Sequence, residues 1–113
     1  MLEDLLLVDA SGELLVELAE GLGRDGEVLL DDLQDALKDG DLSLFRHIAH
    51  GFKGHAGSVG AIPLFKVCHK LQQVSRAEFD QRGNELLDLV RADFKLASRA
   101  LDEYLESAQA RQH

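Results

Sequence analysis

His50, Lys53, Gly54 and Gly57 stand at i, i+3, i+4 and i+7 within the run His50-Gly51-Phe52-Lys53-Gly54-His55-Ala56-Gly57-Ser58-Val59-Gly60-Ala61. Coiled into a helix, they share one stripe. Phe45, Ile48, Phe52, Ala56 and Val59 make a second stripe. At 100° per residue, Phe52 lies about 160° from His50 around the helix axis. If the apolar stripe faces a core, the histidine faces solvent. Beside it stand a cation and two residues without side chains. A neutral imidazole is a nitrogen nucleophile near neutral pH. The pattern therefore describes a nucleophile on an open platform, with a positive charge one turn away.

The elements that must hold this platform are helical. Ala, Leu, Glu, Asp and Lys are abundant, and aromatic residues make up 5%. That balance favours an all-α chain. A length of 113 residues supports one domain with one core. Residues 1–10 form an acidic, apolar lead-in, in which Leu2, Leu5, Leu6 and Val8 suit a helix or turn laid on the bundle. Ser11 suits an N-cap. A first helix then extends to Lys38, with Leu15, Leu18, Leu22, Leu29, Leu33 and Leu37 inward, continuing through Gly21, Gly23 and Gly26 because the apolar phase is kept across them. Asp39-Gly40 ends it. Asp41 caps a second helix, which runs to Ser58 and stops at Gly60. Pro63 suits the first turn of a third helix, with Leu64, Val67, Cys68, Leu71 and Val74 inward. Arg82-Gly83-Asn84 is expected as the last turn. The fourth helix is expected over residues 84–108, with Leu87, Val90, Phe94, Ala97, Leu101, Tyr104 and Leu105 on its stripe, and residues 109–113 as a frayed tail. Four amphipathic helices joined by short loops imply an antiparallel up-down-up-down four-helix bundle. Residues 1–113 are read as a single domain.

Charge is distributed unevenly. The formal net charge is −9, which argues against general nucleic-acid binding. Yet no Asp or Glu occurs from Leu42 to Ala77, and that stretch holds Arg46, Lys53, Lys66, Lys70 and Arg76 with four of the five histidines. An acidic body thus presents one basic hairpin, and His50 is in it. The single cysteine, Cys68, rules out an intramolecular disulfide, fits a reducing, cytoplasmic setting and suits a buried core position. No apolar run reaches the length that spans a bilayer, and the N-terminus lacks the basic start of a signal peptide. His47, His50, His55 and His69 invite a metal reading. No acidic ligand lies near them and Lys53 would repel a cation, so no metal is expected.

The run from His50, read as His-x-aromatic/aliphatic-Lys-Gly-x-small-x-x-x-Gly, resembles the histidine-containing phosphotransfer (HPt) domain of multistep two-component phosphorelays. The likeness extends over nearly the whole chain. Gly40-Asp41-Leu42 resembles the family's lead into its second helix, and Gly60-Ala61 followed by Leu64, Cys68 and Leu71 resembles its third. The resemblance implies that His50 is phosphorylated, that Lys53 is the phosphate-side cation, and that Gly54 is kept small so that a receiver domain can approach. Gly51 and His55 depart from the pattern: the first removes a side chain beside the nucleophile, and the second stands where a small residue is usual.

Under that resemblance His50 attacks phosphorus through Nε2, and Nδ1–H is held by an acceptor. Gln72 on the facing helix is the candidate, at a position where some relatives, of the chemotaxis-kinase type, carry Glu. Lys53 offsets charge on the phosphoryl oxygens during transfer. Arg46, His47, Gly54, Gly57, His69 and Lys70 make the expected partner face. The chain has no P-loop or other Gly-rich nucleotide loop and no acidic cluster near His50 for magnesium. The domain is thus expected not to phosphorylate itself from ATP and to have no cofactor of its own, with Mg²⁺ supplied by the receiver. The implied protein is a monomer, either free-standing or a domain of a hybrid sensor kinase that is itself membrane-anchored. An abrupt start and the lack of a second domain favour the domain case. The rival readings are a docking module that is never phosphorylated and a histidine metal-binding bundle.

Overall fold

The computed structural model describes residues 13–112, and all of the regular structure among them is helical. The helices are α1 (Glu13–Lys38), α2 (Leu42–Ser58), α3 (Ile62–Gln72) and α4 (Arg76–Gln112). The lead-in and the Ser11 cap lie outside the described residues. Helix α4 has 37 residues, about 55 Å at 1.5 Å per residue, and it sets the 52 Å long axis of the molecule. Helix α1 packs on α2, α2 on α3 and α3 on α4, and α4 closes the ring against α1.

The breaks between helices follow from local chemistry. Both α1 and α2 end in a Schellman motif. After α1, Asp41 N–H donates to the Ala36 carbonyl at 2.9 Å and Gly40 N–H to Leu37 at 3.2 Å. After α2, Ala61 N–H donates to Ala56 at 2.9 Å and Gly60 N–H to Gly57 at 3.2 Å. The geometry needs a left-handed residue at each end, and Gly40 (φ 70°) and Gly60 (φ 72°) supply it. The Asp41 carboxylate accepts from Leu44 N–H at 3.0 Å and caps α2. Pro63 lies in the first turn of α3.

One boundary differs from the sequence-based expectation. The chain turns at residues 73–75, and α4 runs unbroken through Arg82-Gly83-Asn84. Ser75 and Glu78 form a capping box: Glu78 N–H donates to Ser75 Oγ at 3.1 Å, and Ser75 N–H to Glu78 Oε1 at 3.4 Å. That reciprocal pairing satisfies the first donors of α4 and starts the helix earlier than Gly83 suggests. Gly83 is buried inside α4 because α1 comes close there; a methyl group in its place would overlap Leu37. At the other end α4 is helical to Gln112, where a frayed tail from Gln109 was expected. Residues 105–112 contain no Gly or Pro and are rich in good helix formers.

The core comprises Leu22, Leu30, Leu33 and Ala36 of α1, Phe45, Ala49, Phe52 and Ala56 of α2, Leu64, Val67, Cys68 and Leu71 of α3, and Phe79, Leu86, Leu87, Val90 and Phe94 of α4. Leu30 rather than Leu29 is the buried leucine of that turn of α1, Leu29 being partly buried against the core, and Tyr104 is exposed. Phe45 meets Phe79 edge-on at 5.1 Å, and Phe52 meets Phe94 at 5.9 Å. Gly26 lets α1 approach the second pair, since a Cβ there would overlap the Phe94 ring.

Gly26 and Gly23 should therefore respond oppositely to alanine. Gly26→Ala forces the Phe94 ring aside and should lower stability by about 1–3 kcal/mol despite better helix propensity. Gly23 has nothing within 4 Å of an added Cβ, so Gly23→Ala should raise stability by up to about 1 kcal/mol. Urea unfolding of the two variants checks both signs.

Candidate functional site

Burial of Phe45, Ile48, Phe52 and Ala56 sets the rotation of α2. It leaves His50 and Gly54 exposed and Lys53 half-buried on the opposite face. Gly57 does not join them. It is buried near the C-terminal end of α2, because the face drifts inward as the helix meets its Schellman turn. Gly57 therefore offers no open surface, contrary to the place that the i+7 spacing assigns it.

His50 lies on an open depression of about 650 Å³, lined by Leu42, Ser43, Arg46, His47, His50, Gln72 and Arg76. Three elements build it: the first half of α2, the last turn of α3 and the first residue of α4. Gln72 reaches across from α3, and its amide Nε2 lies 3.0 Å from His50 Nδ1. Amide nitrogen can only donate. In this orientation Nδ1 accepts, and the ring hydrogen sits on Nε2. A half-turn of the amide would bring Oε1 to an Nδ1–H and leave the Nε2 lone pair free. Gln72 Oε1 is buried with no hydrogen-bond partner, so the observed orientation leaves one polar atom unsatisfied.

The neighbouring cations are held in different ways. Arg46 donates from Nε to the Val74 carbonyl at 3.0 Å, and its Nη2 donates to the same oxygen. Its guanidinium thus fastens α2 to the α3–α4 turn, beyond the partner role expected of it. Arg76 donates to the Gly40 carbonyl at 3.1 Å and lies 3.5 Å from Asp80. It ties the start of α4 to the α1–α2 turn. Lys53 rests over the Phe65 ring at 5.8 Å, which keeps its stem against α3 one turn from His50. His47 is exposed on the depression and has no hydrogen-bond or ion-pair partner among the described residues. His69 and Lys70 are exposed on α3 but do not line the depression. His55 turns toward α1, with Nε2 4.0 Å from Asp25.

Arg76, Ser43 and Phe65 belong to this neighbourhood without having been singled out as site residues. Arg76 was visible as a cation of the acid-free stretch, but its place depended on the helix boundary at Ser75. Among the described residues no group of three or more His, Cys, Asp or Glu side chains is arranged to hold a metal ion, and no helix is long and apolar enough to cross a membrane. A separate apolar groove of about 460 Å³, lined by residues that include Val59, Leu64, Leu96, Leu101 and Tyr104, has little polar chemistry to offer.

A family model described as the Hpt domain matches residues 6–111. No curated protein and no solved structure is similar enough to the chain to count as a match.

Cys68 is fully buried in α3. Burial, and secondarily the charge of Asp93, push its thiol from 9.0 up to about 12. The thiolate is the reactive form, so an aromatic disulfide reagent at pH 8 should label Cys68 only as fast as the protein unfolds. Because the unfolded thiol ionises first, folding stability should fall as pH rises from about 9 toward 12. Labelling rates with and without urea check the first point.

Proposed function

The chain belongs to the Hpt domain family, whose members carry phosphoryl groups on histidine in two-component phosphorelays and interact with receiver domains, and from that premise we propose that His50 accepts a phosphoryl group from one receiver aspartate and passes it to another. The observation that carries this reading is the exposed imidazole of His50, with Nδ1 3.0 Å from the Gln72 amide and open space around Gly54 one turn away. The bundle is taken as up-down-up-down. The short connections support it, and so does the pairing of α1 with α4: Leu37 faces Gly83, whereas the earlier Gly26 faces the later Phe94.

The lone pair of His50 Nε2 attacks phosphorus of the receiver's acyl phosphate. An N–P bond forms, the P–O bond to aspartate breaks, and aspartate leaves as a carboxylate. Transfer to the second receiver reverses these bonds. Gln72, with Oε1 turned toward Nδ1–H, holds the ring in the nucleophilic tautomer without adding negative charge. The ammonium of Lys53 lies within a turn of the transferring group and offsets its oxygen charge. The domain supplies no cofactor; the receiver brings Mg²⁺ beside its own aspartate. The domain acts as a monomer, free-standing or within a larger sensor kinase, and its relay is cytoplasmic. It touches neither nucleic acid nor membrane.

Receivers dock on α2 and α3. Gly54 is the point of close approach, with His47, His69 and Lys70 around it and Arg46 bracing the edge. The acid-free stretch from Leu42 to Ala77 complements an acidic receiver pocket and speeds encounter.

His50→Gln should abolish acceptance of label from phosphorylated receiver domains while circular dichroism stays unchanged. Undiminished labelling would move the role to another histidine. Loss of labelling in the parent protein with receiver binding retained would favour the docking-module reading.

Gly54→Phe separates docking from folding. An added Cβ meets nothing within 4 Å, and alanine at this exposed helix site should stabilise by about 1 kcal/mol. Gly54→Ala should keep most transfer, whereas Gly54→Phe should fold and lose it. Transfer rates from a phosphorylated receiver, measured beside thermal unfolding, check the pair.

A further inference from the structure

We propose that His47 is a second ligand of the phosphoryl group on His50, one that becomes cationic as the group arrives and makes phosphoryl retention depend on pH. This inference rests on the assignment of His50 above. His47 precedes His50 by three residues, so their Cβ atoms lie about 5–6 Å apart on one helix face. Both side chains line the same depression, and both are exposed. His47 has no hydrogen-bond or ion-pair partner among the described residues. Its ring is available to turn toward an oxygen attached at His50 Nε2.

The two arginines around His47 are each tied to a turn carbonyl. On α2, Arg46 is committed to the Val74 carbonyl. From α3 the depression receives Gln72, which is neutral. From α4 comes Arg76, whose Nη1 is held by the Gly40 carbonyl and Asp80. At the start of α2 the Asp41 carboxylate accepts from Leu44 N–H through Oδ1. Between Leu42 and Ala77 the sequence has no acid. Lys53 serves the phosphoryl group from the turn after His50, and His47 serves it from the turn before.

A phosphoryl group carries between one and two negative charges near neutral pH. Its arrival one helical turn away favours the charged form of an imidazole, and imidazole changes charge in the physiological range. Phosphorylation of His50 therefore favours a cationic His47 beside the phosphoryl group. By linkage the His47 contact with the phosphoryl group strengthens as pH falls. Alkaline conditions release this second contact and favour onward transfer.

The test uses phosphoramidate as a small-molecule donor, so that no receiver is needed. Parent protein, His47→Gln and His47→Lys are phosphorylated, and the phosphohistidine lifetime is followed from pH 6 to pH 8. All phosphohistidines lose phosphate faster in acid, so the ratio of lifetimes is read. Parent over His47→Gln should rise several-fold toward pH 6. Parent over His47→Lys should fall toward pH 8, because lysine keeps its charge throughout. Nitrogen-15 spectra at pH 7 should show a several-fold larger imidazolium-to-imidazole ratio for His47 in the phosphorylated protein. Flat ratios and an unchanged His47 spectrum, with label present on His50, would overturn the proposal alone. Failure of His50 to take label from phosphoramidate and from receivers would overturn the reading beneath it as well.

Discussion

Two aromatic contacts fix the rotation of α2, and everything at the candidate site depends on that rotation. Phe45 locks against Phe79 and Phe52 against Phe94, and both α2 rings are fully buried. Burying each ring stabilises the fold by about 1.5–3 kcal/mol relative to an exposed one. A turn of α2 about its axis would lift both rings from the core together. The exposure of His50 is thus held by residues that take no part in its chemistry. A floppy nucleophile would sample many orientations; this one sits on a helix clamped at two points along its length.

A second constraint brings the ends of the helices together. Arg46 reaches from α2 to the Val74 carbonyl, and Arg76 reaches from α4 to the Gly40 carbonyl. Each arginine satisfies a turn carbonyl at the end of a helix connection. Between them they join the α1–α2 and α3–α4 turns around one depression. The basic stretch therefore has two physical uses. Some of its cations build the end of the bundle, while Lys53 and Lys70 remain as charge on its surface. Charge counted along a sequence overstates the charge that is available to a partner.

The contact between Gln72 and His50 shows how little polar machinery the site needs. Among the described residues the core holds no buried charged side chain. The imidazole is oriented by one neutral amide, whose two ends differ in chemistry: nitrogen donates and oxygen accepts. Which end faces Nδ1 decides which ring nitrogen carries the hydrogen, and with it whether Nε2 can act as a nucleophile. A carboxylate in place of the amide would fix the accepting role and add a negative charge close to the phosphoryl group.

The chain's local sequence by itself determined the C-terminal end of α1 and the extent of α2, the inward rows of Phe45, Phe52, Leu64 and Leu71, and the outward face of His50. These are local properties, because side-chain direction on a helix follows from spacing alone. Both glycine stops were legible for the same reason, since the left-handed residue of a Schellman turn favours Gly. The boundary between α3 and α4 was not. Gly83 looks like a turn when read locally, yet it lies inside a helix because Leu37 of α1 needs the space, while Ser75 and Glu78 start that helix before it. Gly57 shares a nominal stripe with His50, but only the packing at the end of α2 decided that it is buried. The commitment of Arg46 to Val74, the support of Lys53 by Phe65 and the placing of Gln72 against His50 likewise belong to tertiary structure. Each joins residues from different helices, and no spacing within one helix specifies which face of its neighbour it will meet.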